Sequence, residues 1–112
     1  MVKQSADLSL IFGALADPTR RGILERLATG EQRVTDLARP FKMSLAAVSK
    51  HLRVLENAGL LSRRRDGRAH LLHAKPEAVA AARQWIEQYA QGWDDSFDAL
   101  DRHLARTSKA KK

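Results

Sequence analysis

The chain has 112 residues, 44% hydrophobic and 29% charged, a mixture that suits one globular domain and excludes a disordered chain. Its formal net charge is +7 and it has no cysteine. The first points toward a polyanionic partner; the second excludes disulfides, thiolate metal ligands and thiol redox sensing.

Charge is unevenly placed. Residues 42–75 hold eight Lys/Arg and two acids, whereas residues 77–104 hold two Arg and six acids. The first stretch is suited to meet an anion and the second is not.

Residues 8–16 (LSLIFGALA) are apolar, but Asp7 abuts them, Ser9 and Gly13 interrupt them, and only Lys3 precedes them as a base. They read as a helix rather than an export signal. No stretch approaches the ~18 apolar residues of a membrane span. A cytoplasmic chain with no membrane partner is therefore expected. Leu8, Ile11, Phe12 and Leu15 recur at helical spacing. Asp17-Pro18 announces a second helix, since Asp caps and Pro fits the first helical position. That helix carries Ile23, Leu24 and Leu27 and stops near Thr29-Gly30.

A short helix over residues 34–39 is expected to end before Pro40. Ser44 then caps a longer helix bearing Leu45, Val48, Leu52 and Leu55, closed by Gly59. A short helix, a turn and a capped helix make a helix-turn-helix. Residues 60–65 and 68–73 read as two strands, with both Asp66 and Gly67 in the turn at positive φ. This basic hairpin is a wing. The expected fold is mainly α: a winged helix-turn-helix of about five helices with a two-stranded β-hairpin.

Pro76 opens the last and longest helix. Val79, Ala82, Ile86, Tyr89, Trp93, Phe97, Leu100 and Leu104 fall at spacings of three and four, close to a heptad pattern, with Trp85 beside the stripe. So large a face exceeds what one small core covers, and it is read as partly a dimer interface. Leu8, Ile11, Phe12, Ile86, Tyr89, Trp93, Phe97 and Leu100 are the residues expected there. Residues 1–105 are expected to form one domain and residues 106–112 (RTSKAKK) a disordered basic tail.

Two strings resemble the ArsR/SmtB family of winged helix-turn-helix repressors. One is residues 15–24, LADPTRRGIL. The other is Val48-Ser49-Lys50-His51-Leu52 with Leu55-Glu56 and Ala58-Gly59-Leu60, followed by the wing residues 63–68, RRRDGR. The match spans about residues 8–75 by motif and the final helix by character. It implies a homodimer, an α-helical fold with a β-hairpin wing, and repression relieved by a signal.

On a helical wheel with Val48, Leu52 and Leu55 inward, Ala46, Lys50, Arg53 and Asn57 face out. Ala47 lies beside them, and Ser49 and His51 lie on the flanks. Ala46, Ala47 and Lys50, near the N-terminus, are the first candidates for base edges, and Arg53 for the backbone. Ser44 is expected to cap and to meet a phosphate. Arg63, Arg64, Arg65 and Arg68 are expected at the backbone or the adjacent minor groove, although strand alternation prevents all of them from pointing one way. The DNA-binding candidates are thus Ser44, Ala46, Ala47, Ser49, Lys50, His51, Arg53, Arg63, Arg64, Arg65 and Arg68, and double-stranded DNA is the expected partner.

Family members that sense metals often place Cys-x-Cys in the short helix, where this chain has Val34-Thr35-Asp36-Leu37. Others pair an Asp-x-His with a later His-x-x-acid; Asp101-Arg102-His103 has the first spacing and nothing after it. No metal and no cofactor is therefore expected. The effector stays open between a small organic ligand, a partner protein and none. The competing reading is a protein-interaction or architectural module without sequence-specific DNA binding. An enzyme is not expected, for want of a nucleophile–base pair or a phosphate-cradling glycine loop.

Overall fold

Among the described residues, five helices and three short strands follow one another. They are α1 (Leu8–Leu15), α2 (Pro18–Leu27), β1 (Gln32–Arg33), α3 (Val34–Ala38), α4 (Leu45–Asn57), β2 (Leu61–Asp66), β3 (Ala69–Ala74) and α5 (Pro76–Ala110). The computed structural model describes residues 7–110. Two compact units result, Met1–Ala82 and Arg83–Lys112.

In the first unit the helix ends are fixed by their own residues. Asp17 Oδ2 accepts from the Arg20 amide at 3.1 Å, and Pro18 occupies the first turn of α2. Ser44 Oγ accepts from the Ala47 amide at 3.1 Å and starts α4. At the other end of α4, Gly59 takes φ +74°. Its N–H donates to Glu56 O at 2.9 Å, and the Leu60 N–H donates to Leu55 O at 3.0 Å. This paired cap satisfies two terminal carbonyls and turns the chain straight into β2, with Leu55 and Leu60 both buried.

β2 and β3 pair antiparallel, from Leu61 opposite Ala74 to Asp66 opposite Ala69. The turn therefore consists of Gly67 and Arg68, not Asp66 and Gly67. Only Gly67 has positive φ, at +65°, so glycine leads a two-residue turn and Asp66 remains in the strand. A third strand was not expected. Gln32 and Arg33 of β1 pair with Leu72 and Leu71, giving the order β1-β3-β2.

The core gathers Ile11, Ala14, Ile23, Leu27, Leu37, Val48, Leu52, Leu55, Leu60, Leu61 and Leu72, together with Ala58, Ala78 and Ala82. One sequence assignment changes here. Ile11 is 0% exposed and belongs to this core, so it has no surface to offer a second copy. Its neighbour Leu10 is the exposed apolar residue of α1. Leu45, which shares the apolar spacing of α4, is 55% exposed. It is the first residue of that helix, a turn ahead of the level at which Val48 enters the core.

The second unit is the remainder of α5. Its apolar stripe carries a ladder of rings. Trp85 stacks on Tyr89 at 5.2 Å between centroids, Tyr89 meets Trp93 edge-on at 6.0 Å, and Trp93 lies 5.5 Å from Phe97. The helix continues through residues 106–110, part of the segment expected as a disordered tail. The last two residues of that segment lie outside the described ones.

Candidate nucleic-acid interface

The residues of α4 divide by face as its periodicity requires. Val48, Leu52 and Leu55 are buried, while Ala46, Lys50, Arg53 and Asn57 are exposed. Ala47 and Ser49 are half-buried at the edges of that open face. Among the described residues no acid pairs with Lys50 or Arg53, so both cations are free to meet an anion. The N-terminus of α4 adds unsatisfied N–H groups that favour negative charge.

His51 is placed otherwise. It is half-buried, with Nδ1 3.3 Å from Arg20 Nη1 and 3.9 Å from Asp17 Oδ2. Arg20 in turn donates from Nε to Ala14 O at 2.7 Å and from Nη2 to Gly13 O at 3.0 Å. Arg21 donates to Leu15 O at 2.7 Å. The arginines of the ADPTRR string thus cap the open carbonyls of α1, and Arg20 ties that corner to α4 through His51. The Arg20 amide, more than the nearby His51, holds the Asp17 carboxyl below the usual carboxylate range.

The wing resolves which arginines are committed. Arg63 makes a two-point pair with Glu56 at the end of α4, at 2.9 and 2.7 Å. Those hydrogen bonds keep its guanidinium protonated even more firmly than usual. Arg64, on the other strand face, makes a two-point pair with Glu31 at 2.9 and 2.8 Å. The same bonds hold the Glu31 carboxyl below its ordinary range. His73 Nδ1 lies 3.7 Å from the same carboxylate, and His73 Nε2 shares a 2.6 Å hydrogen bond with Ser62 Oγ, its cross-strand partner. Among the described residues no acid pairs with the guanidinium of Arg65 or Arg68. Two wing arginines therefore fasten the hairpin to the body, and two remain free.

Sequence reasoning missed Arg33. It stands on β1 with no acid or side-chain acceptor among the described residues, beside the hairpin. The unpredicted strand is what puts it there. Among those residues no group of three or more His, Asp or Glu is arranged to hold a metal. No helix among them is long and apolar enough to cross a membrane.

Residues 17–63 match the family model described as bacterial regulatory protein, arsR family. The chain is 43% identical over 76 residues to the HTH-type transcriptional regulator Rv2034 of Mycobacterium tuberculosis, covering 68% of this chain and 71% of that one. It belongs to the ArsR family. The transcriptional repressor SdpR of Bacillus subtilis is 40% identical over 87 residues, covering 78% of this chain and 97% of the repressor. The ArsR-like transcriptional regulator from Rhodococcus sp. RHA1 superposes with a TM-score of 0.76 at 30% identity, covering 90% of this chain and 95% of that one. This ArsR-family chain is a DNA-binding transcriptional regulator with a winged helix-turn-helix fold, and not an enzyme.

Proposed function

We propose that this ArsR-family chain works in the cytoplasm as a homodimeric repressor on a near-palindromic operator. α4 enters the major groove, with Ala46 and Ala47 allowing close approach and Lys50 reaching base edges. Ser44 and Arg53 meet the backbone. Arg65 and Arg68 reach the backbone or the minor groove, while Arg63 and Arg64 hold the wing in place. The carrying observation is the open, cation-bearing face of α4 beside two wing arginines that have no acid partner among the described residues. The second copy covers the ring ladder of α5, whose Trp93 is 48% exposed in the single chain. The half-sites then lie about 10 base pairs apart or a multiple of that.

Selection from a pool of random duplexes at two salt concentrations tests this. A two-fold symmetric site is expected, lost in Lys50→Ala, with affinity falling steeply with salt if each protomer neutralises about three to five phosphates. Weak, sequence-blind binding would replace this reading with that of an architectural or protein-interaction module.

A further inference from the structure

A cleft of about 600 Å³ opens between α4 and the wing. That size lies within the range that holds small organic ligands. Its walls come from β1, the start of α3, the first turns of α4 and the hairpin.

The lining has two characters. Val34, Leu45 and Ala69 give it an apolar side, and Leu45 is left exposed by the core. Arg33 and Arg68 give it a cationic side, and neither guanidinium has an acid partner among the described residues. Arg63 also lines it but is committed to Glu56. Asp66 is the one acid in the lining. A DNA phosphate would use the arginines and gain nothing from the leucine, valine and alanine. An apolar molecule with one negative charge would use both sides, and Asp66 works against a second charge.

We propose that this cleft binds a small organic monoanion with an apolar body, such as an aryl carboxylate or sulfonate, and that its binding competes with DNA. Competition follows because Arg68 lines the cleft and is also assigned above to DNA, and because Ser49, also in the lining, sits at the edge of the open face of α4. Only this regulatory half rests on the proposed function; the ligand site stands on the cleft itself.

Naphthalene-2-sulfonate is a suitable probe, titrated into the full chain and followed by amide ¹H–¹⁵N correlation spectra. The amides of Thr35, Leu45, Ser49 and Ala69 should shift together and saturate. Leu45→Asn and Arg68→Ala should each weaken binding about ten-fold while the rest of the spectrum stays folded. Inorganic phosphate should produce no saturable shift there. Equal binding of phosphate would make the cleft a seat for DNA backbone only and overturn the proposal. So would shifts confined to the rings of α5, or binding unchanged in both variants. The mapping needs no DNA, so a chain that bound no duplex would fail the proposed function and leave the cleft result standing. In a chain that does bind its selected duplex, the probe should displace it. Filling the cleft without displacement would overturn the competition.

Discussion

α4 and α5 carry apolar residues at the same alternation of three and four, yet those residues meet different ends. In α4, Val48, Leu52 and Leu55 are buried by the chain's own core. In α5, Ile86, Tyr89, Trp93, Phe97, Leu100 and Leu104 all remain about half exposed. Periodicity identifies a face; it does not say whether that face is covered by the same chain or by another. The composition of the stripes does differ. α4 uses aliphatic side chains of the kind that fill a small core, and α5 uses stacked aromatic rings of the kind enriched where one protein meets another.

The largest expected effect breaks the first half of this comparison. Leu52→Ala removes a fully buried side chain and should cost about 2–5 kcal/mol, much of the stability of a small domain. Urea unfolding of the variant measures it. Trp93→Ala should behave oppositely, leaving the unfolding of dilute chain nearly unchanged while weakening self-association by about 30-fold or more. Sedimentation across a concentration series reads that change. If instead Trp93→Ala lowered the stability of dilute chain as much as Leu52→Ala, the α5 stripe would be an internal core face and the comparison would fail.

A smaller effect sharpens a second contrast, between committed and free arginines in one hairpin. Arg65→Ala removes a cation with no acid partner among the described residues and should lower the slope of affinity against salt by about one unit. Arg63→Ala removes a cation already matched by Glu56 and should leave that slope nearly unchanged. Equal losses of slope would mean that the Arg63–Glu56 pair opens on DNA.

Legibility in the sequence follows the range of the interaction. The caps at Asp17 and Ser44, the turn at Gly59 and the face of α4 depend on residues within a few positions, and each was readable from a short string. Leu45 shares the spacing of the α4 stripe yet stays exposed, because the helical period holds along a helix but does not say where the core begins. Ile11 failed because a small first helix has to bury its best residue at home. The turn slipped by one residue because Asp66 pairs across to Ala69, which Asp-Gly alone does not reveal. β1 has two residues and no apolar alternation, so only the open edge of β3 defines it as a strand. The committed state of Arg64 was least readable of all, because its partner Glu31 lies 33 positions away.

The smallest effect concerns the corner that holds α4 rather than the face that it presents. The depressed Asp17 carboxyl owes most to the Arg20 amide, with His51 adding a lesser attraction. A carboxylate held low in the folded chain stabilises it above its unfolded pKa, and that contribution disappears as pH falls through the lower, folded value. Asp17→Asn keeps a capping oxygen but has no charge to lose. Unfolding midpoints measured from about pH 5 down to pH 2 should therefore fall more steeply for the natural chain than for the variant. Parallel curves would show that Asp17 acts through its capping geometry alone. The link from α2 through His51 to α4 would then carry no electrostatic part, and the orientation of α4 would rest on its buried leucines.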